Sequence, residues 1–476
     1  MSTFGALHTA YSGLQAARAG LDVTGQNVAN ATTAGYTRQR VSQAPVGSAV
    51  AASSIFRTGV NIGQGVQVTG VDRLSDSLLD TRVRSSASSA GYWSATSAAV
   101  STIETSLKEP GTSGLSATLA SFWASWQNLA NNPGSAGHGA TVLTEAGQVA
   151  SRIAAGYTEA TAGWDSQLTA AETTVATIND TAAQVARLNE QIRRTVGAGG
   201  SASELRDQRD LLVTDLARLA GATVRDNGDS TMDVLLGGSA LVAGTASRTL
   251  VVSGAARLEE AGSSPVRLEW KGEGRPVDVD GGALAAHLAL LAPADGNGGG
   301  GPWAEEAAVY NALATGLADT VNSLHKQGDL PDGTTGAAFF GFSADATVPP
   351  ALGLKVLPTG VSGIAAALTG SGGGNGGMAD RIAGLGRAAD GPDATWAAHV
   401  VQLGVLSRTT EQQASLGEQG LATASSAQAS QAAVDLDEET TNLLVYQHAY
   451  QGAARVMTAI DEMLDVLINK TGIVGR

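Results

Sequence analysis

Leu443, Tyr446, Tyr450, Ala453, Met457, Ile460, Leu464 and Leu467 alternate steps of three and four residues, which places them on one face of a single long helix near the chain's end. So narrow a stripe is a seam for another helix rather than the broad face of a globular core. Asp435 and Asp437 can cap its N-terminus, Glu438 and Glu439 occupy the first turn where the helix dipole favours anions, and Lys470 with Gly472 supplies a stop. A helix from 438 to 470 runs roughly 50 Å at 1.5 Å per residue. At the other end, Phe4, Leu7, Tyr11, Leu14, Leu21 and Val28 keep a similar rhythm, interrupted by Arg18 and Gly25. Chain ends ordinarily fray, and neither stripe is embedded in other structure by its sequence. The two are expected to pair with each other and with further copies of the chain. The predicted fold is therefore mainly α, with termini that meet in space and intervening domains that are discontinuous.

The first stripe runs into "NVANATTAGYTRQR", residues 27–40. Val28 closes the seam, Asn30 suits a helix C-terminus, and Gly35 provides the turn. Tyr36, Arg38 and Arg40 then fall on one side of an extended segment. Asn27 and Asn30 read either as simple caps or as hydrogen bonders between helix and turn or between subunits. The stretch is read as an assembly elbow where a terminal rod hands over to the next domain.

Beyond it, the pattern turns to period two, and "GVNIGQGVQVTGV" sets Val60, Ile62, Val66 and Val68 between glycines as in a short hairpin. Helix dominates from about 76 to 222. Val175, Ile178, Ala182, Val185, Leu188 and Ile192 share one apolar face; Leu205, Leu212, Leu216 and Leu219 share another, stopped by Gly221. "TVRDNGDSTMDVLLGG" and "PVRLEWKGEGRPVDVDGG" each read as strand, turn, strand, with Val266, Leu268 and Trp270 opposite Arg267, Glu269 and Lys271. "PADGNGGGGP" and "SGGGNGG" read as flexible linkers. Helix resumes over 303–327 and again from about 394. This gives three expected units: 1–75 with 434–476 as a terminal coiled-coil domain with a hairpin connector, 76–222 with 300–433 as a helical bundle (328–380 unassigned), and 223–299 as a small outer β domain.

Composition excludes several classes of function. A net charge of −15 disfavours nucleic acid, which needs a basic face. The absence of cysteine removes disulfides, thiolate chemistry and cysteine metal sites. No window of about 18 apolar residues spans a membrane. The N-terminus lacks the basic and apolar regions of a secretory leader, which by itself reads as cytoplasmic. No lysine follows a glycine as a Walker A motif requires, no HExxH or GxSxG is present, and the histidines are scattered. Gly296-Gly298-Gly301 and Gly372-Gly374-Gly377 spell GxGxxG inside glycine-rich runs with no preceding strand. "DVDGG" at 278–282 lacks the downstream glutamate of a calcium loop. Asp207, Arg209 and Asp210 read as surface charge, with Arg206 and Asp210 an i,i+4 ion pair. No catalytic, cofactor or metal residue emerges, and the chain is expected not to be an enzyme. An adhesive module in 223–299 is the alternative outside the structural class. The abundance of Gly, Ala, Ser and Thr suits close helix packing or reflects a genome-wide bias.

"SGLQAARAGLDVTGQNVANATTAGYTRQR" resembles the N-terminal signature of the flagellar axial proteins, the rod, hook and hook-associated subunits. "VDLDEETTNLLVYQHAYQGAARVMTAIDEMLDVLINKTG" is similar to their C-terminal segment. "ELRDQRDLLVTDLARLAG", "ALVAG" and "VNSLHKQGDLPDGTTGAAFFGF", in that order, resemble the hook-associated branch, as does "LDEE" at 436–439. The pattern departs at Ala34, where a proline is common, and in the short stretch after Phe339-Phe340. The resemblance implies an extracellular structural subunit at the junction of hook and filament, with a hook or rod subunit as the alternative within the family. It implies export through the flagellar type III apparatus without a cleaved signal, and termini that order on assembly. Its implied partners are copies of itself, the hook protein, a second hook–filament junction protein and an export chaperone before secretion, with no nucleic acid and no membrane.

Overall fold

The computed structural model describes residues 3–46, 64–296, 298–372 and 374–470. The first helix, α1 (Thr3–Ala29), leads through a turn into a two-stranded antiparallel hairpin, β1 (Gln39–Pro45) and β2 (Val66–Arg73). The hairpin pairs Gln39 with Arg73 and Pro45 with Val66, with a register shift at Ser42/Gln43. Val66 and Val68 pair with Pro45 and Gln43; Val60 and Ile62, the other half of the expected short hairpin, lie outside the described residues.

The helical body follows: α2 (Ser77–Leu107), α3 (Leu115–Asn131), α4 (Ala136–Gly197) and α5 (Ser203–Ala220). Asp76 caps α2 by accepting from the N–H groups of Leu78 and Leu79. At 62 residues α4 is the spine, roughly 90 Å long at 1.5 Å per residue. Its buried face steps through Val142, Ala146, Val149, Ile153, Tyr157, Ala160 and Trp164, then Ala171, Val175, Ile178, Ala182, Val185, Asn189 and Ile192. Leu188, expected on that face, is half-buried, because the polar Asn189 takes the inward place.

Strands β3 (Thr223–Asp226), β4 (Met232–Leu236), β5 (Ser239–Ala243) and β6 (Ala246–Ser247) form an antiparallel meander; β7 (Leu250–Ser253) pairs with β8 (Arg267–Trp270). Leu268 and Trp270 are buried as the alternation predicts, but Glu269 is buried too, bonded to Arg267. Then come α6 (Gly282–Leu290), α7 (Pro302–His325), β9 (Gly328–Asp329), β10 (Phe340–Gly341), α8 (Pro350–Gly353), β11 (Lys355–Val356), β12 (Ala367–Leu368) and α9 (Gly377–Ala383). The long α10 (Pro392–Ala432) packs back on α2, and α11 (Leu436–Asp465), extended by a π-turn to residue 470, packs on α1.

The described residues of both expected linkers carry hydrogen bonds that tie them to their surroundings. Glu305 accepts from the backbone N–H groups of Asp295 and Gly300, and Asn375 accepts from those of Leu368 and Gly377. Glycine there answers crowding: Gly376 lies against the Ala130 carbonyl, with no room for a Cβ.

The body's core is aromatic. Phe122, Trp126, Phe339 and Phe340 pack together around His325. His325 Nδ1 meets the Ala337 carbonyl at 2.6 Å and its Nε2 accepts from the Ala365 N–H at 2.9 Å, an arrangement only neutral imidazole makes. Burial accordingly lowers its pKa. Three helical asparagines stitch strands to helices by grasping both backbone groups of one residue: Asn179 on Leu250, Asn189 on Met232 and Asn322 on Phe340. Each side-chain amide takes the place of a strand partner, so a strand residue has its free N–H and C=O satisfied by a helix.

Candidate assembly interface

A fourth such asparagine holds the terminal helices to the body. Asn27, only 1% exposed, donates to the Gln39 carbonyl (2.9 Å) and to Glu439 Oε2 (3.1 Å). Its Oδ1 accepts from the Gln39 N–H (3.0 Å) and from the Tyr36 hydroxyl (2.9 Å). All four hydrogen-bonding positions of the amide are used, joining α1, the elbow, β1 and α11. Glu439, 2% exposed, also accepts from Arg38 Nε at 2.7 Å, while Arg38 Nη1 reaches Glu438 at 2.5 Å. The Arg38 backbone N–H donates to the Ala432 carbonyl at the end of α10. Asp435 caps α11 by accepting from the N–H groups of Asp437 and Glu438, which fixes where these carboxylates emerge.

A second ionic layer lies beneath. Arg73, at the end of β2, pairs with Asp207 (2.6 Å) and Asp210 (2.9 Å) of α5. The Thr37 N–H donates to Asp207, and Gln39 donates to Glu204. Burial raises the Asp207 pKa and outweighs the opposing pull of Arg73 and Thr37. Tyr36 is pushed up to about 12, first by burial and then by Glu204, Asp207 and Glu439 around it. The expected surface pairing of Arg206 with Asp210 gives way to this cross-element cluster. Asp207 and Arg209 are buried, and Arg209 instead bridges Asn189 and the Ser230 carbonyl.

The elbow's remaining residues act locally. Asn30 donates to the Gln26 carbonyl and accepts from Thr33, as a helix–turn bond. Gly35 has φ +75°, and a Cβ there would lie 2.5 Å from Leu211, so the position needs glycine twice over.

The helices themselves run antiparallel, since Gly20 meets Tyr446 while Asn27 meets Glu439. The buried residues of α1 are small or polar: Ala10, Ala16, Ala17, Gly20, Thr24 and Asn27. A Cβ on Gly20 would sit 2.5 Å from the Tyr446 ring, so close approach rather than bulk defines this seam. Of the large residues expected on it, three stay half-buried and three turn outward. Leu7, Leu14 and Leu21 are half-buried at its flank, while Phe4 (71% exposed), Tyr11 (50%) and Val28 face out. On α11 the expected stripe does face inward: Ile460 is buried and Leu443, Tyr446, Met457 and Leu464 are half-buried. Tyr450 is exposed, and so is Leu467 in the π-turn. Leu444, Val445, Val456, Met463, Val466 and Ile468 form further exposed apolar surface.

Among the described residues no group of His, Cys, Asp or Glu is placed to hold a metal ion, and no helix is long and apolar enough to cross a membrane.

A helix pair made from the two chain ends, bonded at an elbow to a discontinuous helical body, defines a class. Residues 7–37 match the flagella basal body rod protein family and residues 428–470 the C-terminal family of the flagellar basal body rod FlgEFG proteins. The chain is thus a flagellar axial protein. Residues 100–340 match the helical domain of flagellar hook-associated protein FlgK. Flagellar hook-associated protein 1 of Bacillus subtilis is 32% identical over 514 aligned positions spanning all of both chains. The Salmonella typhimurium protein of the same name is 33% identical over 249 residues, 51% of this chain and 43% of that one. The flagellar hook junction protein FlgK of Burkholderia pseudomallei shares the fold, with a TM-score of 0.62 at 16% identity over 74% of this chain and all of that structure. The chain belongs to the flagellar hook-associated protein 1 (FlgK) family, whose members are structural proteins of the flagellum and not enzymes.

Proposed function

We propose that this chain is a structural subunit of the hook–filament junction that polymerises through its paired terminal helices. The observation that carries the reading is the exposed apolar surface of that pair. Phe4, Tyr11, Leu444, Val445, Val456 and Met463 stay in solvent in the single chain, and large apolar side chains left exposed together on one helix pair are what an interaction surface requires. The expected assembly set divides: Leu443, Tyr446, Met457, Ile460 and Leu464 close the pair itself with Leu7, Leu14 and Leu21 half-buried beside them, while Tyr11, Val28, Tyr450 and Leu467 stay exposed for other copies. Asn27, Asn30, Gly35, Tyr36 and Arg38 set the angle at which the rod leaves the body. Residues 1–75 with 434–476 then act as the assembly domain, 76–222 with 300–433 as its carrier, and 223–299 as the outer domain.

In this role the partners are copies of the chain, the hook protein on one side and a second junction protein on the other. An export chaperone shields the terminal seams before passage through the type III apparatus, with no cleaved signal. Deleting the gene tests the assignment. The expected phenotype is hooks without filaments and flagellin lost to the medium. Cells without hooks would overturn it in favour of a hook or rod subunit.

A further inference from the structure

Three asparagines precede glycine in this chain: Asn227, Asn297 and Asn375. Such a pair is chemically labile where the glycine nitrogen can reach the asparagine side chain, because no side chain on the second residue hinders the approach. The structure treats the two described pairs very differently.

Asn227-Gly228 forms the turn between β3 and β4, and both residues are exposed. Gly228 has φ +77°. Asn375-Gly376 is half-buried. The Asn375 carbonyl oxygen is held by the N–H groups of Leu368 (3.3 Å) and Gly377 (2.8 Å), and Gly376 is wedged against the Ala130 carbonyl. The Asn227 side chain is tied as well, through its Nδ2, to Asp233 and Thr231, so the difference between the two pairs is exposure: the Asn227-Gly228 turn stands open to water, while Asn375-Gly376 is packed against Ala130.

We propose that Asn227 is a site of spontaneous backbone-assisted deamidation, with water as the co-reactant. The Gly228 nitrogen, on losing its proton to solvent, attacks Asn227 Cγ. A new C–N bond closes a five-membered imide, the Cγ–Nδ2 bond breaks, and the nitrogen leaves as ammonia with a proton from water. A second water opens the imide at either carbonyl, leaving aspartate or isoaspartate. No oxidant or reductant is needed.

The change disturbs a specific network. Asn227 Nδ2 donates to Asp233 Oδ1 (2.6 Å) and to Thr231 Oγ1 (3.1 Å). Asp233 is 6% exposed and also receives the Gly244 N–H at 2.7 Å and Arg225 at 2.8 Å. A carboxylate at 227 removes both donated hydrogen bonds and sets a like charge against a buried one. The β4–β5 edge then loses part of what holds Gly244 in place.

The full-length chain, held in mildly alkaline buffer, is sampled over time and mapped by peptide mass spectrometry. In the folded chain the Asn227 peptide is expected to convert several-fold faster than the Asn375 peptide, and the difference to vanish in denaturant. Equal rates in the folded chain, or faster conversion at Asn375, would overturn the assignment. Asn227→Asp tests the consequence separately: amide hydrogen exchange at Gly244 is expected to quicken several-fold, and unchanged protection would break the proposed link to the hairpin.

Discussion

The helical body and the terminal helix pair bury different kinds of surface. In the body Trp126, Trp164, Trp270, Trp396, Phe122, Phe339 and Phe340 are fully buried. An aromatic ring removes roughly 150–250 Å² from water, worth about 4–6 kcal/mol at roughly 25 cal/mol per Å². In the pair, buried positions are mostly alanine, glycine and polar groups, and each methyl contributes about 0.8 kcal/mol. Alone, the body has a core and the pair has a template for one. The comparison breaks first under protease. A dilute monomer is expected to lose roughly its first 75 and last 40 residues, the expected assembly segments of the sequence, while the body survives with its melting temperature unchanged. Termini as resistant as the body would show that the single chain buries enough on its own.

Substitution sharpens the contrast. Trp126→Ala removes a ring fully enclosed by Phe122, Phe339 and His325, and is expected to cost the body about 3–5 kcal/mol in denaturant titrations. Asn27→Ala strands the Gln39 backbone groups and takes one donor from buried Glu439, at roughly 2–4 kcal/mol. That cost should fall on the terminal pair, read as faster hydrogen exchange in α1 and α11 with the protection of α4 intact. Loss of protection in α4 would mean that elbow and body unfold as one unit.

Acidity acts on the body through its buried histidines. His325 is lowered by burial relative to its ordinary value of about 6.5. The unfolded chain therefore takes up a proton below that pH which the folded imidazole refuses. The stability it supports is fully present above pH ~6.5 and falls as the pH drops toward the folded value. His287, also lowered by burial and bonded to Gln167, works in the same direction. The body's melting temperature is expected to fall between pH ~7 and ~5, and His325→Gln to flatten that slope. An unchanged slope would place the acid sensitivity elsewhere.

Legibility in the sequence follows the range of each interaction. The 3-4 rhythm of α11, the long helical middle and the strand–turn–strand of β3 and β4 depend on near neighbours, and their residues announce them. The α1 seam has the same rhythm at Ala17, Gly20, Thr24 and Asn27, yet a hydrophobicity reading passes over it for the larger Leu7, Tyr11 and Leu14 beside it. Only the position of Tyr446 shows why Gly20 matters. The ionic elbow was less visible still, because Arg73 and Asp210 are 137 residues apart and Asn27 and Glu439 are 412 apart. Charged residues close together in sequence suggested local pairs, whereas the fold spends those charges on distant elements. One signal was available: Asn27, Asn179, Asn189 and Asn322 all sit inside helices, where asparagine is disfavoured without a tertiary partner.

The smallest effect in the monomer is the one that bears most on function. Tyr11→Ser and Val445→Ser each replace a half or more exposed apolar side chain, so each should shift stability by no more than about 0.5 kcal/mol. If the exposed face of the pair is the surface other copies cover, the double variant should fold, melt normally and fail to polymerise, read by sedimentation of the purified chain and by the absence of filaments in complemented cells. An internal seam substitution, Gly20→Ala, should do the reverse, forcing Tyr446 aside and weakening the pair before any assembly begins. Should Tyr11→Ser with Val445→Ser leave polymerisation intact, the outward apolar residues are bystanders, and the interface between copies lies on the body. The terminal pair would then be a closed unit, and the contrast with the body would be one of size alone.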